Sequence, residues 1–262
     1  MVIPCIDMKI ILIGAGNLAT QLAVALQKKG MTPAYIYSRT RESAEQLSER
    51  LRDVPHSTDI SRVPTDGDLY IFAVKDSALL DLVSRMSANR GLWVHTAGSM
   101  DMEVFAPYTA RYGVFYPMQT FSKERVTDFD DIPIFVEANH TNDTERLQEL
   151  AGRLSTKVYE ATSEQRKYLH LAAVFACNFT NHLYALCDRI LSEHGLSFET
   201  MLPLIRETAA KVADMPPEQA QTGPAIRYDK NVIDKQMALL SDPTMRQIYD
   251  LMSRSIHETN KH

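Results

Sequence analysis

Met8-Lys-Ile-Ile-Leu-Ile-Gly-Ala-Gly-Asn-Leu-Ala19 is the stretch whose reading decides the fold. The apolar run over 8–13 reads as a strand and stops at Gly14. A helical pattern follows from Asn17 to Lys29 and ends at Gly30, a C′ glycine. Between strand and helix, Gly14-Ala-Gly16-Asn-Leu-Ala19 has the form GxGxxA. On its own such a match is weak. Here it follows a strand, opens a helix and has a second strand about 20 residues on, as a dinucleotide turn requires. Gly14 permits the tight turn, and Gly16 lets the backbone approach a pyrophosphate. Ala19 is small enough for close helix–strand packing, and the helix N-terminus at Asn17 and Leu18 favours the anion. The second strand, Ala34-Tyr-Ile-Tyr-Ser38, ends in Ser38-Arg39-Thr40. A site for NAD carries an acidic residue there, to hold the ribose 2′-hydroxyl. A guanidinium and two hydroxyls suit a 2′-phosphate instead, so the expected cofactor is NADP.

Outward from this turn, strand and helix signals alternate. A helix is expected over Arg41 to Arg52, capped by Thr40. Strands follow at Leu69 to Val74, Leu92 to His95, Gly113 to Tyr116, Ile132 to Ala138 and Lys157 to Glu160. Helices are expected over Ser77 to Ser87 and Thr144 to Leu154. This alternation predicts an α/β fold with a Rossmann-like, mostly parallel sheet covered on both faces. It occupies residues 1–160, and an all-helical domain follows over 161–262. Thr162 and Gln165 have capping-box spacing, and no breaker appears before Gly195. One helix of about 32 residues is therefore expected. Its middle, Leu171-Ala-Ala-Val-Phe-Ala-Cys177, is apolar all round, which predicts burial on every side. A domain of about 100 residues cannot easily supply that cover, so a homodimer through the helical half is expected. Further helices are read from Ser197 to about Ala213, over Asp229 to Leu240 and over Thr244 to His257.

Composition narrows the classes of function. The net charge is −5 and neither half is basic, so a nucleic-acid footprint is absent. Three cysteines, Cys5, Cys177 and Cys187, lack CxxC spacing and fit reduced thiols in a cytoplasmic protein. No apolar run approaches the roughly 20 residues of a membrane span. No HxxxH pair and no GxSxG appears, so metal and serine-nucleophile chemistry are not expected. Ten glycines in 262 residues are few, so each is expected to have a backbone role.

Ile13-Gly-Ala-Gly-Asn-Leu-Ala19, Ser38-Arg39-Thr40 and Phe72-Ala-Val-Lys-Asp76 together resemble pyrroline-5-carboxylate reductases and the wider 6-phosphogluconate dehydrogenase-like superfamily. Over nearly its full length the chain looks closer still to a bacterial family of proposed NADP oxidoreductases with a helical C-terminal domain of unknown function. The segments that carry this likeness are His95-Thr-Ala-Gly-Ser99, Tyr116-Pro-Met-Gln-Thr-Phe121, the helix His170 to Leu183 and Ala220-Gln-Thr-Gly-Pro-Ala225. The resemblance implies a Rossmann-like fold, an NADP site and dimerisation through the helical domain. It supplies no substrate.

Ligands of such sheets bind beyond the carboxyl ends of the strands. Ala73, Val74 and Lys75 end one strand there and are expected beside the cofactor. His95 ends another, with an imidazole whose ordinary pKa suits proton transfer; a purely structural role in capping the strand is an equal alternative. On a regular helix His170 and Asn181 lie about 20° apart, with Val174 at about 40° and Asn178 at about 80°. His170 and Asn178 are therefore candidate catalytic residues, with helix–helix hydrogen bonding as the alternative. Hydroxyacid dehydrogenases of the superfamily carry a catalytic lysine one turn before such an asparagine. Here that position is Val174, so a lysine mechanism is not expected. The reading is a hydride-transferring oxidoreductase for a small carbonyl, imine or hydroxy compound. The alternative is a protein that binds or senses NADP without catalysis.

Overall fold

The computed structural model describes residues 8–260; Cys5 lies outside them. The elements of the first part are β1 (Ile10–Ile13), α1 (Asn17–Lys28), β2 (Tyr35–Tyr37), α2 (Arg41–Arg50), β3 (His56–Ser57), β4 (Leu69–Phe72), α3 (Asp76–Ser84), β5 (Leu92–His95), β6 (Tyr112–Pro117), β7 (Ile134–Ala138), α4 (Thr141–Leu154), β8 (Val158–Glu160) and α5 (Ser163–Ala173). A π-helical turn, Val174–Phe179, continues α5 into α6 (Thr180–Glu193). Then follow α7 (Leu202–Asp214), α8 (Pro217–Ala220), α9 (Lys230–Leu239) and α10 (Pro243–Thr259).

The strands form one sheet in the order β3-β2-β1-β4-β5-β6-β7-β8. From β3 to β6 every pairing is parallel; β6 pairs antiparallel with β7, and β7 is parallel to β8. The chain leaves β1 for β2 on one side and returns to β4 on the other, so the topological switch lies between β1 and β4. Alternate residues of β1 feed opposite faces. Ile10 and Leu12 join a cluster with Leu22, Leu26, Ile71 and Leu150, while Ile11 and Ile13 join one with Leu79, Val83, Trp93 and Phe105. Burial on both faces explains the near-continuous apolar strands of the sequence. The indole of Trp93 is sealed among Tyr70, Phe72 and Phe105, meeting Phe105 edge-on, and donates to Asn89 Oδ1 at 2.9 Å.

Contacts divide the chain into two compact units, Met1–Cys177 and Asn178–His262. The sheet ends at Glu160, where the sequence suggests a boundary, but the division falls inside the long helix. The reason is α5: Leu169 packs against the small cluster of Val114 and Tyr116 on β6, Phe135 on β7 and Ala161 just after β8. The capping box is present in both halves. Gln165 N donates to Thr162 Oγ1 at 3.2 Å, and Thr162 N donates to Gln165 Oε1 at 2.9 Å.

The π turn changes one expectation. Its wider winding means that a uniform 100° step does not carry from His170 to Asn178. One turn before Asn178 falls on Ala173 in π winding and on Val174 in α winding; neither is a lysine. A second difference concerns burial. The middle of the long helix, expected to be covered on all sides, is exposed in the single chain, with Leu171 52% accessible. The second unit has a thin interior, in which Ile233, Met245 and Ser253 are the buried residues among those described. Arg189 ties α6 to the start of α10 by an ion pair with Asp242, which also caps α10 through the N–H groups of Thr244 and Met245.

Candidate functional site

At the carboxyl ends of β1, β2 and β4 a cavity of about 470 Å³ opens over the GxGxxA turn. Gly14 has φ +125°, and a Cβ there would collide with the carbonyl oxygen of Ala73. No heavy atom lies within 4 Å of the place where a Cβ of Gly16 would sit. Gly14 is thus required by the packing of β1 on β4, whereas Gly16 keeps the floor of the cavity clear. Gly16 is also the N-cap of α1 and has no side chain to cap it, so the first N–H groups of the helix have no side-chain cap; Asn17 and Leu18 are not among the residues that line the cavity. The side chain of Leu18 itself packs on the core.

Ser38, Arg39, Thr40, Ser43, Ala73, Val74 and Lys75 line the same cavity. Thr40 is the N-cap of α2, yet its hydroxyl makes no capping bond and remains available to a ligand. Four cations line the cavity, Arg39, Lys75, Arg85 and Lys123, against one carboxylate, Asp81. Asp81 pairs with Arg85 at 3.3 Å. Among the described residues Arg39, Lys75 and Lys123 make no ion pair. In a chain of net charge −5, this opening is therefore locally cationic by three charges. A dinucleotide with a pyrophosphate and a further phosphate fits such a lining.

The loop after β5 forms a second cluster. His95 is 1% exposed. Its Nδ1 accepts from Ala97 N–H at 3.2 Å, which leaves the Nε2 proton to be donated to the Asp101 carbonyl at 3.3 Å. Burial, and next the nearby Arg166 charge, hold its pKa down at about 4. A neutral imidazole with both nitrogens engaged has none left for a substrate, so the acid–base reading of His95 gains nothing from the geometry, and its loop-holding alternative does. His170 is different. It is exposed at the end of α5, and its ring lies over Gly98, where a Cβ would approach Nδ1 to 2.6 Å. The hydroxyl of Tyr116 lies 3.3 Å from the same Nδ1. With Tyr116 donating, Nε2 carries the imidazole proton outward. Burial raises the Tyr116 pKa, partly opposed by the Arg166 charge, so the phenol stays protonated near neutral pH. Asn178 is exposed on the π turn.

Several participants escape a reading of the sequence. Arg166 is fully buried and binds four groups: Glu137 Oε2 at 2.9 Å, Ala97 O at 3.2 Å, Ser163 Oγ at 3.1 Å and Met100 O. It stitches α5 and β7 to the loop that carries Gly98. Nothing in the sequence separates it from the charged residues around it in Ser163-Glu-Gln-Arg-Lys167, although its place one turn into a capped helix after the last strand was a usable signal. Tyr116 reads in the sequence as the end of a strand, and nothing local marks its hydroxyl as a partner of His170.

A Rossmann-like domain model matches residues 3–118, and the family model described as a domain of unknown function (DUF2520) matches residues 132–256. No curated protein matches the chain. Among solved structures, a proposed NADP oxidoreductase from Bacteroides fragilis is 52% identical, with TM-score 0.90 over 96% of this chain and 98% of that one. A reductive aminase from Aspergillus terreus, in complex with NADPH and ethyl levulinate, is 17% identical, with TM-score 0.73 over 97% of this chain and 95% of that one. A pyrroline-5-carboxylate reductase from Coxiella burnetii is 16% identical, with TM-score 0.60 and 97% coverage of both chains. The latter two show a shared fold.

Proposed function

We propose a function from one premise: the chain belongs to the family of the Bacteroides protein, in which a Rossmann-like domain is followed by DUF2520. On that premise the chain is an NADP-dependent oxidoreductase acting on a small carbonyl, imine or hydroxy compound. The observation that carries this reading is the cationic cavity over Gly14 and Gly16, with Ser38, Arg39 and Thr40 at its rim and no carboxylate at the end of β2. Gly14 and Gly16 with the N–H groups of Asn17 and Leu18 hold the pyrophosphate, and Ser38, Arg39 and Thr40 hold the 2′-phosphate. Ala73, Val74 and Lys75 flank the ribose. The nicotinamide, when bound, supplies or accepts the hydride.

The protein's own part in the chemistry is proton handling and positioning. In reduction, His170 Nε2–H hydrogen-bonds to the oxygen or nitrogen that gains charge, Tyr116 fixes the tautomer that makes this possible, and water supplies the proton that the product takes up. His95 and Arg166 hold the loop of Ala97 and Gly98 in place. Asn178 enters this proposal as a hydrogen-bonding residue toward the substrate. A homodimer completes it: Leu204, Leu239 and Leu251 are each more than 60% exposed, and so much apolar surface favours a second copy.

Val174 and Ala173, in place of a lysine, favour a second reading, NADP binding without turnover. Two measurements decide. Titration should show NADPH binding at least about tenfold tighter than NADH, as the guanidinium of Arg39 requires. Steady NADPH oxidation should then appear with one of a panel of oxo acids, imines and aldehydes. Equal affinity for the two cofactors removes the 2′-phosphate assignment, and tight binding without turnover across the panel selects the second reading.

A further inference from the structure

Lys123 lies far in sequence from the GxGxxA turn and from β2, yet it lines the cofactor cavity. It arrives there on a strap, residues 121–127, that is anchored by its backbone. Asn17 Nδ2 donates to Phe121 O at 3.0 Å, and Gln21 Nε2 donates to Ser122 O at 2.7 Å. Arg50 Nη1 donates to Lys123 O at 3.0 Å, and Thr127 N donates to Gln21 Oε1 at 3.2 Å. Both ends of the strap are thus fixed to α1 and the Lys123 carbonyl between them to α2, and the Lys123 side chain takes part in none of these bonds. Gln21 is itself 1% exposed, so its amide is a rigid anchor that binds the strap on both sides of Lys123.

We infer that Lys123 is a ligand of the cofactor's 2′-phosphate and, with Arg39, sets the preference for NADP. The inference rests on the NADP reading above. Three observations place the ammonium at this phosphate rather than at the pyrophosphate. Lys123 also lines an adjoining cavity with Ser43, Gln46, Leu47 and Arg50 of α2, joined there by Thr20 of α1 and by Glu124 of the strap. Ser43, shared by both cavities, lies in the first turn of α2, directly after Ser38-Arg39-Thr40. The pyrophosphate position, by contrast, belongs to the N-terminus of α1. Lys123 is half-buried and makes no ion pair among the described residues, so a dianionic phosphate would be its charge partner. Arg39 supplies a planar fork and Lys123, which lines the same cavity, a point charge, and the two together would neutralise one phosphate.

The test uses the full chain and equilibrium binding, with no need for turnover. Lys123→Met keeps the stem and removes the charge. NADPH and 2′,5′-ADP should each bind about tenfold more weakly than to the parent protein. NADH and 5′-AMP should bind unchanged, and the affinity of the variant for NADPH should depend less steeply on salt. An unchanged melting temperature shows that the strap is intact. Equal loss for NADPH and NADH moves Lys123 to the pyrophosphate and overturns the assignment. No loss for any of the four ligands overturns it as well. Failure of the NADP reading itself looks different, because the parent protein would then bind neither NADPH nor 2′,5′-ADP preferentially.

Discussion

Two histidines of this chain show how burial separates roles at the scale of a residue. His95 sits sealed and neutral, with its pKa at about 4 against an ordinary 6.5. Between those values the unfolded chain binds the extra proton and the folded chain does not. Stability is therefore full above about pH 6.5, falls as pH drops towards 4, and levels off below; the gap corresponds to about 3 kcal/mol. Urea midpoints measured from pH 7.5 to 4 should show this decline, and His95→Gln should flatten it in that window. His170 is governed by Gly98 beneath it. Gly98→Ala would bring a methyl group to 2.6 Å from Nδ1 and tilt the ring away from Tyr116. A fall of about tenfold or more in kcat is expected, with the NADPH dissociation constant unchanged. At this scale the sequence is legible where spacing carries meaning, as in the GxGxxA turn and the Thr162–Gln165 box. It is not legible where a contact joins distant segments. Nothing local in Tyr116 or Gly98 announces that both meet His170.

The same limit governs the elements. Every strand of the sheet beyond two residues in length announces itself: the central strands, buried on both faces, are continuously apolar, and the exposed edge strand β8 is marked by Val158 and Tyr159 shortly after a helix. The short β3 carries His56 and Ser57, with no apolar signal, and passes unnoticed. The single antiparallel pairing, β6 with β7, is likewise invisible, since strand direction leaves no mark on composition. The π turn hides for a related reason: it repeats the apolar character of its neighbours and changes only the winding. The polar joint between α5, β7 and the Gly98 loop is where element packing is most sensitive. Arg166→Met strands the Glu137 carboxylate, which is only 15% exposed, and should cost about 3–5 kcal/mol in denaturant unfolding. Adding Glu137→Gln should recover part of that loss. Hydrogen exchange in Ala97 to Asp101 should quicken in the single variant, because two carbonyls of that loop lose their donor.

For the whole molecule, the division of labour follows from where apolar surface is spent. The first unit encloses two large clusters on its sheet, whereas the second leaves Leu204, Leu239 and Leu251 mostly exposed. Light scattering at micromolar concentration should give about twice the 29.6 kDa mass of the chain. A monomer would overturn the proposed assembly. Among the described residues no helix is long and apolar enough to cross a membrane, and no cluster of ligating side chains suited to a metal ion occurs. The sequence shows that an all-helical part follows the sheet, because period and capping change at Thr162. It does not show where contacts divide, because α5 looks helical whichever part it packs against.

Trp93 gives the molecule an optical gauge. It is the one indole in the chain, 1% exposed and walled by three aromatic rings of the first unit. Its emission therefore reports on the sheet alone, and water-borne quenchers such as iodide should leave it bright while the sheet is closed. Loss of assembly or melting in the helical unit should pass without a change in its colour. A denaturation followed by both tryptophan emission and helical circular dichroism would thus separate the two halves in a single sample, without any label.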